Sequence, residues 1–175
     1  LLERHTAPLV NMTLAVDAGY SSDAKGKEGI ASLALGVMDD GTTTRDLFRI
    51  ADDLDSLGAT IETSNELDAS YVTLRALRMN IGPSLSLFAD VALHPAFPEE
   101  MVVIARKQAL ATIRREKVTP RSAARRVVPK LLYGGEHAYG KPATGSGYES
   151  VVEGVERVDL VAWHGAWFVP GNTTL

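Results

Sequence analysis

Cysteine is absent from this chain of 175 residues. That excludes a thiol nucleophile, a thiolate metal site and a disulfide framework, and it leaves the compartment open, since a periplasmic protein can also do without cysteine. Aromatic residues make up only 6% of the chain, and none falls between Arg106 and Lys130, its most basic stretch. That stretch therefore lacks the stacking surface that single-stranded nucleic acid uses. Long apolar runs are missing as well. Crossing a bilayer takes about 20 consecutive apolar residues, and every run here is shorter and broken by charge, so no membrane span is expected. The chain opens on Leu1-Leu2-Glu3-Arg4-His5 without an initiator Met and closes on Asn172-Thr173-Thr174-Leu175, which reads as the start of a strand. A targeting segment upstream or already removed fits that opening, and the expectation is a fragment of a longer protein.

What is present suits one globular domain over residues 1–175: 45% hydrophobic and 23% charged residues, at a length where about 70% of the unfolded surface can be buried without a disulfide. The net charge of -4 hides an asymmetry. Nine basic residues and one acidic residue (Glu116) lie between Arg106 and Lys130, against nine basic and 21 acidic elsewhere. A basic stripe can mark a nucleic-acid footprint, whose affinity would fall steeply with salt. Arg and Lys on helices more often cover a solvated face or meet an acidic partner, and no nucleic-acid partner is expected.

Alternation of Val10, Met12, Leu14 and Val16 predicts a strand ending at Gly19. Ile30, Leu33, Ala34 and Val37 recur at helical spacing, and a second helix with Leu47, Ile50, Ala51, Leu54 and Leu57 on one stripe is expected to start at a Thr43 or Thr44 cap and stop at Gly58. Two strands follow, near Thr60 to Ser64 and Ala69 to Leu77, joined by a turn around Asn65. Helices are expected over Ile81 to Leu93, from Pro98 to about Glu116, from Pro120 to about Leu132, and over Leu160 to Trp167 after a glycine-rich loop from Gly134 to Gly147. Strands and helices in this order do not alternate regularly. The expected fold class is therefore α+β, an antiparallel sheet with helices packed on one face.

Residue types alone give no catalytic constellation. Gly135-Glu136-His137-Ala138-Tyr139-Gly140-Lys141 has the spacing of a phosphate-binding loop, but Pro142 stands where Ser or Thr must hold magnesium and supplies no N–H. Gly145-x-Gly147 fails as a dinucleotide fingerprint, and no G-x-S-x-G elbow exists. The four histidines, His5, His94, His137 and His164, are too far apart for a local metal pair, so packing and capping roles are expected for those beside Pro95 and Trp163. Acids such as Asp39, Asp40, Asp52 and Asp53 are expected on solvated helix faces.

From Val10 to Leu175 the pieces fall into a family pattern. They are Val16-Asp17-Ala18-Gly19, Glu28-Gly29-Ile30-Ala31, Asp40-Gly41-Thr42, Leu57-Gly58-Ala59, Pro95-Ala96-Phe97, Tyr133-Gly134 with His137 to Pro142 and Gly145, and the closing Trp167-Phe168-Val169-Pro170-Gly171-Asn172. In this order the chain resembles the N-terminal portion of one repeat unit of the pitrilysin and insulinase zinc peptidases, which include the mitochondrial processing peptidases.

The resemblance implies a metallopeptidase-like fold. In catalytic members H-x-x-E-H on the first helix supplies two zinc-binding His and the Glu that activates the metal's water. The matching positions here are Ser32, Leu35 and Gly36, and the third ligand, a Glu on the long helix, would fall near Ala111 or Thr112. The resemblance thus implies no zinc in this segment, with zinc in a catalytic half of the same chain or of a partner subunit. The implied function is that of a non-catalytic half that helps enclose unfolded peptide for proteolysis. Leu35 is expected to add apolar surface toward whatever covers its helix. Family members pair a peptide on the strand corresponding to Ala59, Thr60, Ile61, Glu62 and Thr63 by strand addition, which needs only free backbone groups; an ordinary sheet edge is the alternative. A structural subunit with no peptide ligand is the competing function, as in the family's relatives in respiratory complexes. Periplasmic localisation follows only from likeness to bacterial relatives.

Overall fold

The computed structural model describes residues 8–175. His5 lies outside the described residues. Strand β1 (Leu9–Val16) is followed by helices α1 (Ile30–Val37) and α2 (Leu47–Leu57), strands β2 (Thr60–Asn65) and β3 (Ser70–Leu77), and helices α3 (Ile81–Leu93), α4 (Glu99–Val118) and α5 (Pro120–Tyr133). A short α6 (Glu149–Val152), then α7 (Arg157–Trp167) and β4 (Thr173–Thr174), close the chain. The sheet has the order β2-β3-β1-β4 and every neighbouring pair is antiparallel.

Period-two alternation sets the sheet's two faces. Val72, Leu74 and Ala76 of β3, Ile61 of β2 and Val16 of β1 are buried beneath the helices, while Arg75 and Glu62 point to the open face. On that open face Thr13 and Thr73 are directly opposite and share a hydrogen bond of 3.1 Å. The covering layer holds α1 against β2, α2 beside β2 and α3 on β3, and α1 is in turn flanked by α4 and α7. Covered from several sides, α1 buries six of its eight residues.

Helix ends follow local chemistry, with one departure from expectation. The α2 cap is Asp46, whose carboxylate accepts from the Arg49 N–H at 2.8 Å, and not Thr43 or Thr44. Thr42 and Thr44 are engaged elsewhere: both hydroxyls donate to Asp90 of α3 at 2.8 Å, which also receives Arg45 at 2.5 Å. Ala51 is exposed, so the packed stripe of α2 is Leu47, Ile50, Leu54 and Leu57. Gly58 ends the helix at φ 59°, a conformation that costs a side chain strain and glycine nothing. α7 begins three residues before Leu160, at Arg157, because Glu156 and Asp159 form a reciprocal capping box.

Between α3 and α4 the chain turns through Phe97 at φ 47°, a left-handed conformation unusual for a side-chain-bearing residue. Burial of its ring and the Arg157 guanidinium, which donates to the carbonyls of Ala96 and Phe97, hold it there. Pro129 inside α5 has a comparable consequence. With no N–H at residue 129, the carbonyl of Arg125 loses its helical donor and accepts instead from the Ala143 N–H at 3.0 Å. That bond ties the glycine-rich loop to α5.

Candidate functional site

α1 carries six buried residues, and the two that are not buried are Ser32 and Gly36. They are one helical turn apart on one face, and that face lines an open cleft of about 270 Å³ together with Gln108, Thr112 and Glu116 of α4 and Ser146 of the glycine-rich loop. Of the two positions considered on the long helix, Thr112 faces the cleft, whereas Ala111 is exposed and does not line it. Leu35 does not leave apolar surface outside the chain: it is 2% exposed, because β2 and neighbouring helices enclose α1, and its carbonyl accepts from the Thr63 hydroxyl at 2.9 Å. The expectation of further apolar surface at Leu35 is thus corrected.

The cleft's polar groups satisfy one another. Ser32 Oγ donates to the Gly145 carbonyl at 2.7 Å and accepts from Asn65 Nδ2 at 2.9 Å. Glu116 accepts from Arg126 at 2.7 Å and from Ser146 Oγ at 2.6 Å, in a largely buried ion pair. The loop reaches this position through Gly147, which sits at φ 70° so close to α1 that a Cβ would lie 1.9 Å from the Glu28 carbonyl. A zinc ion needs about four N, S or carboxylate donors at short range. Position 32 offers a neutral hydroxyl already bonded, position 36 has no side chain, and the one carboxylate is neutralised by Arg126. These residues do not fit the metal. Among the described residues no group of three or more His, Cys, Asp or Glu could hold one.

Among the described residues the histidines serve packing and capping. His164 stacks on Phe168 at 4.5 Å and its Nε2 lies 2.9 Å from the Ala92 carbonyl, while burial lowers its pKa. His137 stacks on Tyr133, and its Nδ1 accepts from the Tyr139 N–H. His94 caps the end of α3. Lys141, the lysine of the failed phosphate loop, donates to the carbonyls of Ser21 (2.6 Å) and Asp23, clipping the loop before α1 to the glycine-rich loop. Asp23 itself is buried, and its carboxylate accepts from the N–H groups of Gly29 (2.7 Å) and Ala31 (3.1 Å) at the start of α1. Burial pushes its pKa up to about 6, against the lowering by those two bonds and by Lys141. Nothing in the sequence marked Asp23, because its partners lie six and eight residues on.

β2 forms the outer edge of the sheet beside this cleft. Glu66 N–H bonds the Ala69 carbonyl, so in the antiparallel alternation Ser64, Glu62 and Thr60 bond to β3 while the backbone groups of Ile61, Thr63 and Asn65 point away from the sheet. Of the five positions expected to pair a peptide, Ile61 and Thr63 present outward backbone groups. Thr60 and Glu62 use theirs in the ladder. Ala59 precedes the strand, and its N–H bonds the Leu54 carbonyl at the end of α2. Asn65, read from the sequence as a turn, is the strand's third outward residue, and its alternation with Thr63 was the available signal.

A family model described as "Insulinase (Peptidase family M16)" matches residues 1–140. The chain belongs to this family. An uncharacterized zinc protease of Rickettsia bellii is 29% identical over 101 residues, covering 56% of this chain and 24% of that protein. The crystal structure of a peptidase M16 inactive domain from Pseudomonas fluorescens superposes with a TM-score of 0.91 at 28% identity, over 98% of this chain and 41% of that one. The periplasmic protease PqqL of Escherichia coli shares the fold, with a TM-score of 0.80 at 17% identity over 95% of this chain and 19% of that one. The chain thus spans about a quarter of the curated relative and about two-fifths of the Pseudomonas structure. No helix among the described residues is long and apolar enough to cross a membrane.

Proposed function

We propose that this M16 chain is the N-terminal portion of a non-catalytic repeat unit. In this reading it binds unfolded peptide along β2 and helps enclose it for a catalytic half in the same protein or a partner subunit, where the zinc resides. Ser32, Leu35 and Gly36 take the places of the H-x-x-E-H side chains, with Thr112 in place of the third ligand. The observation that carries this reading is one surface: a cleft with no zinc-competent donor set lies directly beside a sheet edge with free backbone groups at Ile61, Thr63 and Asn65. Strand addition draws its affinity from main-chain hydrogen bonds, so it survives the loss of the metal ligands. Support also comes from the Pseudomonas domain, called inactive, which this chain matches over almost its full length. The periplasmic compartment is part of the proposal, by analogy with the Escherichia coli neighbour.

The test is peptide affinity of the full-length protein carrying Thr63→Pro. Proline at an outward-facing edge position removes one free N–H and leaves the β2–β3 ladder donors in place. Against Thr63→Ala, which loses the same hydroxyl bond to the Leu35 carbonyl but keeps the backbone N–H, binding of a fluorescent unstructured peptide is expected to weaken at least about tenfold, roughly 1.4 kcal/mol, with similar thermal midpoints for the two variants. Unchanged affinity would remove peptide pairing on β2 from the reading.

A further inference from the structure

α5 is inside out. The residues it packs against the protein are Ser122, Ala123, Arg126 and Pro129, all half-buried, and no residue of the helix is fully buried. Its apolar side chains Ala124, Val127, Val128 and Leu131 recur at i, i+3, i+4 and i+7, the stripe with which a helix ordinarily faces a core. Here the stripe faces outward: Val127 is 55% exposed, Leu131 77% and the adjoining Leu132 71%. Val118 at the α4–α5 corner extends the same exposed apolar surface.

The stripe's flanks are of one sign. From Lys117 to Tyr133 the chain has no acidic residue. At 100° per residue Lys130 lies on one side of the stripe, and Arg121 and Arg125 lie on the other. Alongside the ridge runs an apolar slot of about 340 Å³ lined by Ala123, Val127, Lys130, Pro142 and Tyr148. Ridge and slot together offer the relief into which the side chains of a second helix interlock.

We infer that the outward face of α5 is a docking surface for an amphipathic helix of a second polypeptide, with an apolar stripe that meets Val127 and Leu131 and acidic flanks that meet Arg121 and Lys130. The inference does not depend on peptide pairing at β2. A second copy of this chain is the poorer occupant, because antiparallel pairing of two α5 helices sets basic flank against basic flank. An anionic lipid surface satisfies the charge but presents no projecting side chain to fill the slot. Docking of this kind is helix-in-groove recognition, read through i, i+3, i+4 and i+7 anchors.

The test uses the full-length protein and two fluorescein-labelled model helices of about 20 residues, long enough to hold helical structure. Both carry a leucine stripe; one has Glu on both flanks and the other Lys. Fluorescence anisotropy is expected to show binding of the Glu helix that weakens with salt, and at least about tenfold weaker binding of the Lys helix. Val127→Asp with Leu131→Asp, both at exposed positions and so compatible with folding, is expected to abolish binding. Arg121→Glu with Lys130→Glu is expected to reverse the preference between the two helices. Failure to bind the Glu helix, equal binding of both, stronger binding to phosphatidylglycerol vesicles than to either, or self-association that Val127→Asp with Leu131→Asp removes would each overturn the inference.

Discussion

The side-chain amide of Asn65 donates to Ser32 Oγ at 2.9 Å, joining the outer strand of the sheet to the first helix at the mouth of the cleft. Ser32 passes the connection on to the Gly145 carbonyl at 2.7 Å, so one hydroxyl ties β2, α1 and the glycine-rich loop together. Ser32→Ala is expected to cost about 1–2 kcal/mol, the range for losing a partly buried hydroxyl that both donates and accepts. Urea denaturation would measure the loss, and a stability equal to the unmodified protein would show that the three-way junction contributes nothing.

The same junction bears on metal. The 175-residue chain by itself is expected to bind no stoichiometric zinc, by elemental analysis and by calorimetric titration. Ser32→His with Gly36→His and Thr112→Glu should create a site, since a Cβ at Gly36 meets nothing within 4 Å and all three positions line one cleft. Zinc bound to that variant is expected without peptide hydrolysis, because Leu35 remains apolar and buried. One tightly bound zinc in the unmodified 175-residue chain would overturn the non-catalytic reading.

Asp23 gives stability a pH dependence. Its pKa rises from 3.8 to about 6 in the fold, mainly through burial, so the folded state holds its proton more tightly than the unfolded state does. The group's contribution is therefore fully present below pH about 4 and is lost as pH rises through about 6, on the order of 3 kcal/mol in all. Asp23→Asn keeps one acceptor for the Gly29 and Ala31 amides but does not titrate. Denaturation midpoints between pH 4 and 7 are expected to fall for the unmodified protein relative to the variant, and parallel curves would refute the assignment.

How much of this was legible in the sequence depended on range. The alternation in β1 and β3 and the bounds Ile81–Leu93 of α3 follow from neighbours within a few residues, and the structure matches them. The α2 cap is Asp46 and not Thr43 or Thr44, because the Thr44 hydroxyl is claimed by Asp90 and the Thr43 N–H by the His94 carbonyl, both more than 40 residues away. α6 was missed because four residues carry almost no periodic signal. At the site, the i, i+4 pair Ser32 and Gly36 was readable as one face. The burial of Leu35 was not, since it results from three separate elements closing around α1. Nor was the fold of the glycine-rich loop over the cleft, which is set by contacts from distant residues such as Lys141 to Ser21.

Pro129 offers the most local test of how that loop is held. The proline leaves the Arg125 carbonyl without its helical donor, the Ala143 N–H takes the vacancy at 3.0 Å, and the Arg125 guanidinium returns a bond to the Ala143 carbonyl at 2.5 Å. Pro129→Ala restores an N–H that competes for the same carbonyl while removing an interior proline that costs a helix about 3 kcal/mol. The thermal midpoint is therefore expected to stay equal or rise, while amide exchange at Ala143 speeds up about tenfold as the loop loses its anchor. The opposing directions separate the two effects. Faster exchange with no loss of global stability marks Pro129 as the residue that ties the loop to α5. Unchanged protection at Ala143 would mean that the Lys141 and Ser32 contacts hold the loop without it.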